Sequence, residues 1–275
     1  MTNELQFLAK GRQPVHSRIT WKACETGKGE GRCIGPPLSR APGESASSAA
    51  SNKLQTPKPK KGRKPRMKDY EALSRKHFDH QAAEYDARDT VYYSREGKIS
   101  CRDIASQLKA VPYEALLDVG CGTGFLIDLL ARQRPARYAG LDLSPGMIRM
   151  AEGKQIEGAE FVVGSADRLP FPDHTFEIVT CSQSFHHYPY PDKAVAEAFR
   201  VLKPGGLYIL SDTGIGGVGG WIDNHILFRL ARSGDCHTTN RHGIARMMEK
   251  AGFTVTESRQ IQGMIYTVTG RKGAK

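Results

Sequence analysis

Residues 116–126 of this 275-residue chain read LLDVGCGTGFL, and the fold follows from this stretch. The apolar run from Tyr113 to Val119 is typical of a buried strand in a parallel sheet. Apolar residues recur at helical spacing at positions 125, 126, 129 and 130, so a helix is predicted directly after the turn. Every second position of the turn is a glycine, namely Gly120, Gly122 and Gly124. These glycines leave space against the backbone for a ligand, and the free N–H groups of the new helix point to it.

A second strand is predicted over residues 137–142, and its last residue is a carboxylate. Asp142 follows Gly120 by 22 positions, where an acid at a strand tip can accept hydrogen bonds from two ribose hydroxyls. Strand, glycine turn, helix and acid-tipped strand together predict a nucleoside-binding half-fold. A dinucleotide fingerprint requires another Gly or Ala where this chain has Phe125, which disfavours a nicotinamide dehydrogenase.

The spacing G-x-G-x-G after Asp118 resembles motif I of the class I S-adenosylmethionine-dependent methyltransferases, and Asp142 resembles their ribose-binding acid. Asp118 would repel a phosphate, yet it can help to anchor an amino-acid ammonium group. The phrase RVLKPGG at residues 200–206 and the pattern F-D-x-x-A-x-x-Y-D at residues 78–86 are similar to segments of the same superfamily. The resemblance covers roughly residues 75–270 and is closest to small-molecule methyltransferases of type 11 and of the ubiquinone and menaquinone kind.

This resemblance implies S-adenosyl-L-methionine as the cofactor and carries binding roles onto specific residues. Those residues are Asp118, Gly120, Cys121, Gly122, Gly124, Asp142, Leu143, Met147, Ala166, Asp167, Ser182, Phe78 and Tyr85. Asp167 is expected to accept the exocyclic amine of adenine, with the Ala166 backbone beside the ring. In such enzymes the leading helix, here residues 69–87, closes over the cofactor. The alternative is that Phe78 and Tyr85 only anchor this helix to the core.

The rest of the chain alternates between predicted helices and strands. Helices are expected at 99–108, 144–152, 191–202 and 241–251, and strands at 160–164, 172–181, 207–212, 252–256 and 264–269. Alternation of this kind predicts an α/β fold, a Rossmann-like doubly wound sheet of about seven strands with helices on both faces. The resemblance adds that the last strand is antiparallel.

The net charge of +11 arises in the first quarter of the chain. Residues 1–68 hold 15 Lys and Arg against 4 Asp and Glu, whereas residues 69–275 hold 25 of each. Clusters of Gly, Pro and Ser and few apolar residues predict that 1–68 is a disordered basic tail, and that 69–275 is the methyltransferase domain. The tail could bind nucleic acid, carry a localisation signal, be merely solvated, or be dispensable before Met67.

Cysteine usage and hydropathy indicate a cytoplasmic protein. The six cysteines show no C-x-x-C pair, which suits free thiols in a reducing compartment. There is no apolar run of 18 residues and no signal-peptide pattern, so no membrane span is expected. A monomer or a homodimer is anticipated.

The best candidates for catalytic residues are His186 and His187, in the loop after the fourth strand. This loop should face the transferred methyl group, because parallel sheets bind ligands beyond the carboxyl ends of their strands. Adjacent residues point apart, so at most one histidine is expected to meet the acceptor as a general base, with His187 slightly ahead. The alternative is that the pair only shapes the pocket. His225, Asp235, Cys236 and His237 match no common ligand spacing, and no metal site is predicted.

The acceptor is predicted to be a small molecule, apolar or aromatic. Glycines at 214–220 suggest a hinge or lid, and Trp221, Ile222, Ile226 and Phe228 suggest an apolar wall. An RNA methyltransferase that uses the basic tail is an alternative, although residues 182–185 lack the Asn/Asp-Pro-Pro-aromatic motif of amino-methylating nucleic-acid enzymes. A non-catalytic protein that binds S-adenosylmethionine is the other alternative.

Overall fold

The computed structural model describes residues 69–85, 92–222 and 235–274. The basic segment 1–68 lies outside the described residues, as do His225, Ile226, Phe228 and the side chain of Trp221. Within the described ranges, no helix combines the length and the apolar character needed to cross a membrane.

The described chain alternates between helices and strands over most of its length. The elements are α1 (Tyr70–Gln81), α2 (Tyr92–Leu108), β1 (Ala115–Val119), α3 (Phe125–Ala131), β2 (Arg137–Asp142), α4 (Pro145–Gly153), β3 (Ala159–Val163), β4 (Phe176–Ser182), α5 (Pro191–Val201), β5 (Leu202–Thr213), α6 (Gly217–Ile222), α7 (Arg241–Lys250), β6 (Phe253–Gln262) and β7 (Ile265–Lys272). Single 3₁₀ turns occupy Ala82–Glu84 and Phe185–His187.

The strands form one seven-stranded sheet in the order β3-β2-β1-β4-β5-β7-β6. β1 to β5 pair in parallel, and β7 runs antiparallel to both β5 and β6. This confirms the predicted doubly wound α/β fold and its antiparallel last strand.

The sheet is buried on both faces, as parallel sheets require. Leu117 points into a core shared with α5 and α7, whereas its neighbour Leu116 points into a core shared with α2 and α3. All five residues of β1 are buried, because this strand lies near the middle of the sheet. The continuous apolar run that predicted the strand thus follows from its two covered faces.

Three boundaries differ from the sequence prediction. α2 begins at Tyr92, seven residues before the predicted start at Ile99. β5 begins directly at Leu202, because the KPGG segment is accommodated as an irregularity in the ladder with β4 and Gly205 adopts φ +80°. β6 continues to Gln262, beyond the predicted end at residue 256. Its second half is polar and alternates in burial, because β6 lies at the edge of the sheet.

The topology determines where a ligand binds. The chain leaves β1 for β2 on one side, and the next parallel neighbour of β1 on the other side is β4. The strand order reverses between β1 and β4, and in open α/β sheets the crevice beyond the carboxyl ends at such a switch point holds the ligand.

Candidate functional site

A large cleft opens at that switch point. The cleft and its mouth enclose about 1230 Å³. Its wall is formed by α1, α2, the turn after β1 and the loops after β2, β3 and β4.

Asp142 organises the floor of the cleft. Its Oδ2 accepts a hydrogen bond from Gly122 N at 2.9 Å, and its Oδ1 accepts one from Ser144 N at 2.9 Å. Each carboxylate oxygen has a further lone pair, so the group can still accept bonds from a ligand. Burial raises the pKa of Asp142 above its usual value, although the two backbone donors oppose this rise.

The glycine turn is tightly constrained at its first position. Gly120 adopts φ +72°, and a Cβ there would lie 2.3 Å from Ser184 Oγ. Gly122 adopts φ +53° and has open space around the position of a Cβ. Gly124 does not line the cleft, because it begins α3 beside Phe161 and Ala151. The absence of a side chain at Gly124 therefore allows Phe161 and Ala151 to pack against the start of α3.

Asp118 is buried at the end of β1, and its side chain is 2% exposed. Thr180 Oγ1 donates a hydrogen bond to Asp118 Oδ1 at 2.8 Å. Burial raises the pKa of Asp118 to about 7. A cation that binds nearby would favour the charged carboxylate, so this side of the cleft suits an ammonium group better than a phosphate.

The loop after β3 is held to α5 by hydrogen bonds to two of its side chains, Arg200 and Glu197. Arg200 donates from Nη1 to Phe171 O at 2.8 Å and from Nη2 to Leu169 O at 2.9 Å, and it also pairs with Glu197. This loop carries Ala166 and Asp167, which line the cleft. The arginine of the RVLKPGG phrase thus has a local physical role, since it holds the loop in place.

We expect Arg200→Ala to destabilise the fold by about 2–3 kcal/mol, as hydrogen bonds from charged donors contribute roughly 1.5–3 kcal/mol each and this side chain is partly solvated. Cofactor affinity should fall with it, because the loop loses its anchor. Thermal unfolding and calorimetric titration measure the two effects. Arg132→Ala, which removes an exposed ion pair with Asp128, is the matched control. Equal behaviour of the two variants would contradict the role of Arg200.

α1 covers the cleft and contacts two of the loops beneath it. Asp79 Oδ1 accepts hydrogen bonds from Ser144 Oγ at 2.6 Å and from Gly146 N at 2.8 Å. Ser165 Oγ lies 2.9 Å from Glu71 Oε1. Asp79 belongs to the F-D-x-x-A-x-x-Y-D pattern, but its role was not predicted, because its partners lie some 65 residues further along the chain.

The two candidate histidines occupy different positions. His187 lines the cleft, and its ring meets the ring of Phe78 edge-on with centroids 4.9 Å apart. His186 lies behind it and does not line the cleft. Only His187 of the pair therefore lines the cleft, and its contact with an acceptor stays a prediction.

Each histidine contacts a carboxylate from a distant segment, and neither contact was predicted from the sequence. Nδ1 of His187 lies 3.1 Å from Asp235 Oδ1, and Nδ1 of His186 lies 2.7 Å from Asp212 Oδ1. Burial lowers the pKa of His186, but Asp212 and Asp235 outweigh burial and raise it above its usual value. Asp235 reaches this place because Cys236 N and His237 N both donate to His186 O. No local spacing could reveal a contact across 48 residues.

The predicted cofactor residues converge on one cleft. All except Gly124 line the cleft, namely Asp118, Gly120, Cys121, Gly122, Asp142, Leu143, Met147, Ala166, Asp167, Ser182, Phe78 and Tyr85. A bare glycine turn, a carboxylate with spare lone pairs and a buried acid near neutral pKa fit a cationic nucleoside without phosphates.

Comparison with known proteins gives a consistent result. Residues 117–210 match the family described as methyltransferase domain. Over 99 residues the chain is 46% identical to the fatty-acid O-methyltransferase of Mycolicibacterium smegmatis. This match covers 35% of this chain and 36% of that protein. Over 152 residues it is 34% identical to the demethylmenaquinone methyltransferase of Symbiobacterium thermophilum, which covers 53% of this chain and 61% of that protein. The matches span about one third to three fifths of these relatives.

A solved structure extends the likeness over most of the described fold. It is a methyltransferase in complex with the Haloferax volcanii Trm112 methyltransferase activator, with a TM-score of 0.62 and 19% sequence identity. The likeness covers 73% of this chain and 97% of that chain. At this level of identity it shows the fold alone.

Proposed function

We propose that this chain, whose residues 117–210 match the methyltransferase domain family, is an S-adenosylmethionine-dependent methyltransferase that acts on a small-molecule acceptor. The observation that carries the proposal is the convergence of the glycine turn, Asp118 and Asp142 on one cleft. The domain proposed for this activity is residues 69–275, with 1–68 as a basic tail and a cytoplasmic location.

Each wall of the cleft is proposed to hold one part of the cofactor. Asp142 accepts hydrogen bonds from the ribose hydroxyls, and Asp167 accepts one from the exocyclic amine of adenine. Asp118 helps to anchor the ammonium group of the cofactor's amino-acid part. Phe78 and Tyr85, whose ring centroids are 6.4 Å apart, close the cleft from above. Phe78 and Tyr85 both line the cleft, which supports a role in covering the ligand beyond anchoring the helix.

The bound cofactor supplies a methyl group that is already activated for direct displacement. The protein therefore has to hold the acceptor in line with the methyl group and exclude water. These effects can lower the activation free energy by about 7–11 kcal/mol. α1 serves this purpose, because Asp79 ties it to the start of α4 above the cofactor position. No covalent intermediate with the protein is required.

The acceptor is proposed to be an apolar or aromatic molecule of the lipid or quinone class. Aromatic side chains that line the cleft, including Tyr188 and Tyr190, support this class of acceptor. The relatives named above act on a fatty acid and on demethylmenaquinone. These relatives favour small-molecule transfer over the RNA and non-catalytic alternatives.

His187 is proposed as the catalytic residue, in contact with the nucleophilic group of the acceptor, and His186 acts only through its neighbours. We expect His187→Ala to lower kcat by roughly 10²-fold, the lower range for a side chain that assists proton transfer, with unchanged cofactor affinity. The measurement is turnover with labelled methyl donor and a panel of fatty acids and hydroquinones, beside calorimetric titration of the cofactor.

His242→Ala is the matched control, because His242 is exposed on α7 and does not line the cleft. It should behave as the wild type. Wild-type turnover by the His187 variant would remove the catalytic assignment. Absence of methyl transfer to every acceptor, with the cofactor bound, would favour the non-catalytic alternative.

A further inference from the structure

We propose that His186, His187 and Asp235 form a binding site for a divalent transition-metal ion of the Zn²⁺ type at the acceptor end of the cleft. One ligand atom from each side chain lies within 4.8 Å of the other two. All three residues are partly buried. The site goes beyond the proposed function, since binding of the ion does not require the methyl donor.

The distances between ligand atoms suit a small ion. Zn–N and Zn–O bonds of about 2.0–2.2 Å in tetrahedral geometry place neighbouring ligand atoms roughly 3.3–3.6 Å apart. His187 Nδ1 and Asp235 Oδ1 are 3.1 Å apart, which is about 0.2 Å below the lower end of that range. His186 Nε2 lies 3.9 Å from the same Oδ1, so it needs a shift of under about 1 Å, which a side-chain rotation can supply.

Asp212 prepares His186 for this role. The Asp212 side chain is 1% exposed and accepts hydrogen bonds from His186 N at 3.1 Å and Thr213 N at 2.7 Å. A carboxylate held in this way takes the Nδ1 proton of His186 as its third partner, at 2.7 Å. The neutral imidazole then directs the lone pair of Nε2 towards Asp235. Metal-bound histidines commonly donate their other ring N–H to a carboxylate in this way.

The set of ligands selects the class of ion. Two imidazoles and one carboxylate suit Zn²⁺ and its transition-metal neighbours, whereas Mg²⁺ and Ca²⁺ prefer oxygen ligands throughout. Three protein ligands leave a coordination position open, as in catalytic zinc sites. Because His187 lines the cleft, an acceptor hydroxyl can reach that side of the cluster, where a metal ion would lower its pKa.

A doubly protonated His186 is the alternative to a metal ion in this cluster, because its two N–H groups could donate to Asp212 and Asp235. The imidazolium would bridge Asp212 and Asp235 without any metal ion. The two accounts differ in a direct observable, since only one of them includes a bound ion. Asp235 is the position to test, because it is 18% exposed and its loss leaves the buried Asp212–His186 pair in place.

The experiment uses the full chain, treated with a chelator and titrated with Zn²⁺ at neutral pH without the methyl donor. We expect one ion per chain by calorimetry and by elemental analysis of the dialysed protein. Asp235→Ala should weaken binding more than tenfold, and Asp212→Asn by roughly 10- to 100-fold, the usual effect of losing an outer carboxylate. Asp192→Ala, at an exposed ion pair with Lys250, should leave binding unchanged.

Two results would overturn the metal site. One is the absence of saturable Zn²⁺ binding to the wild type, which would leave the protonated His186 as the account of the cluster. The other is equal affinity in the wild type and the Asp235→Ala variant, which would place the ion elsewhere. Titration of the methyl donor in parallel keeps the proposed function separate, because failure to bind the donor leaves the Zn²⁺ result interpretable.

Discussion

Replacing Asp142 with Ala should weaken the binding of S-adenosylmethionine by about 100-fold or more. Two hydrogen bonds from ribose hydroxyls to a carboxylate would be lost, each contributing about 1.5–3 kcal/mol, and 1.4 kcal/mol corresponds to a factor of ten. The loss has a second component, because Asp142 also accepts from Gly122 N and Ser144 N. Calorimetric titration of the purified variant measures the affinity.

Asp142→Asn separates the two components. The amide oxygen can still accept from one of the two backbone donors, so the turn is better preserved, whereas the charge is lost. We expect an intermediate affinity and a melting temperature nearer to that of the wild type. Asp192→Ala, on the exposed surface, controls for the removal of a carboxylate. Wild-type affinity in the Asp142→Ala variant would contradict the ribose assignment.

Gly120→Ala should destabilise the fold by about 2–5 kcal/mol. The left-handed backbone at φ +72° costs a non-glycine residue about 1–2 kcal/mol, and overpacking adds about 1–3 kcal/mol. The new Cβ would lie 2.3 Å from Ser184 Oγ and 2.8 Å from Tyr188 OH. Both hydroxyls donate to Val119 O, so the clash disturbs the end of β1. Chemical denaturation monitored by circular dichroism measures the loss.

Gly122→Ala is the matched comparison, two residues along the same turn. It shares the left-handed conformation but has no atom within 4 Å of the new Cβ. We expect a loss of only about 1–2 kcal/mol in stability, from the backbone alone, together with a marked loss of cofactor affinity, because Gly122 lines the cleft. Equal destabilisation by the two substitutions would show that packing against Ser184 is unimportant.

The sequence predicted those parts of the site that are local along the chain. Gly120 and Gly122 are recognised by their spacing, and Asp142 is recognised by its position at the end of a strand. Both signals are local, because the order of a βαβ unit fixes where such residues lie. The doubly wound α/β fold and the antiparallel β7 followed from alternation and from the family resemblance. The second half of β6 was missed, because an edge strand tolerates polar residues on its exposed face.

Contacts between distant segments could not be predicted. Asp235 joins the histidine pair, Asp79 joins the start of α4, and Arg200 supports the loop after β3 only because the fold brings these segments together. The periodicity of the sequence does not reveal such long-range contacts, since each partner is an ordinary polar residue in its own segment. The proximity of His186, His187 and Asp235 was not predicted for this reason, although each of the three residues was noticed in the sequence.

Calorimetric titration of the wild-type chain with S-adenosylmethionine, beside NAD⁺, tests the central claim most directly. The account predicts saturable binding of one S-adenosylmethionine per chain and no heat of binding with NAD⁺, whose pyrophosphate would lie against Asp118. Saturable binding of NAD⁺ alone, or of neither compound, would contradict it.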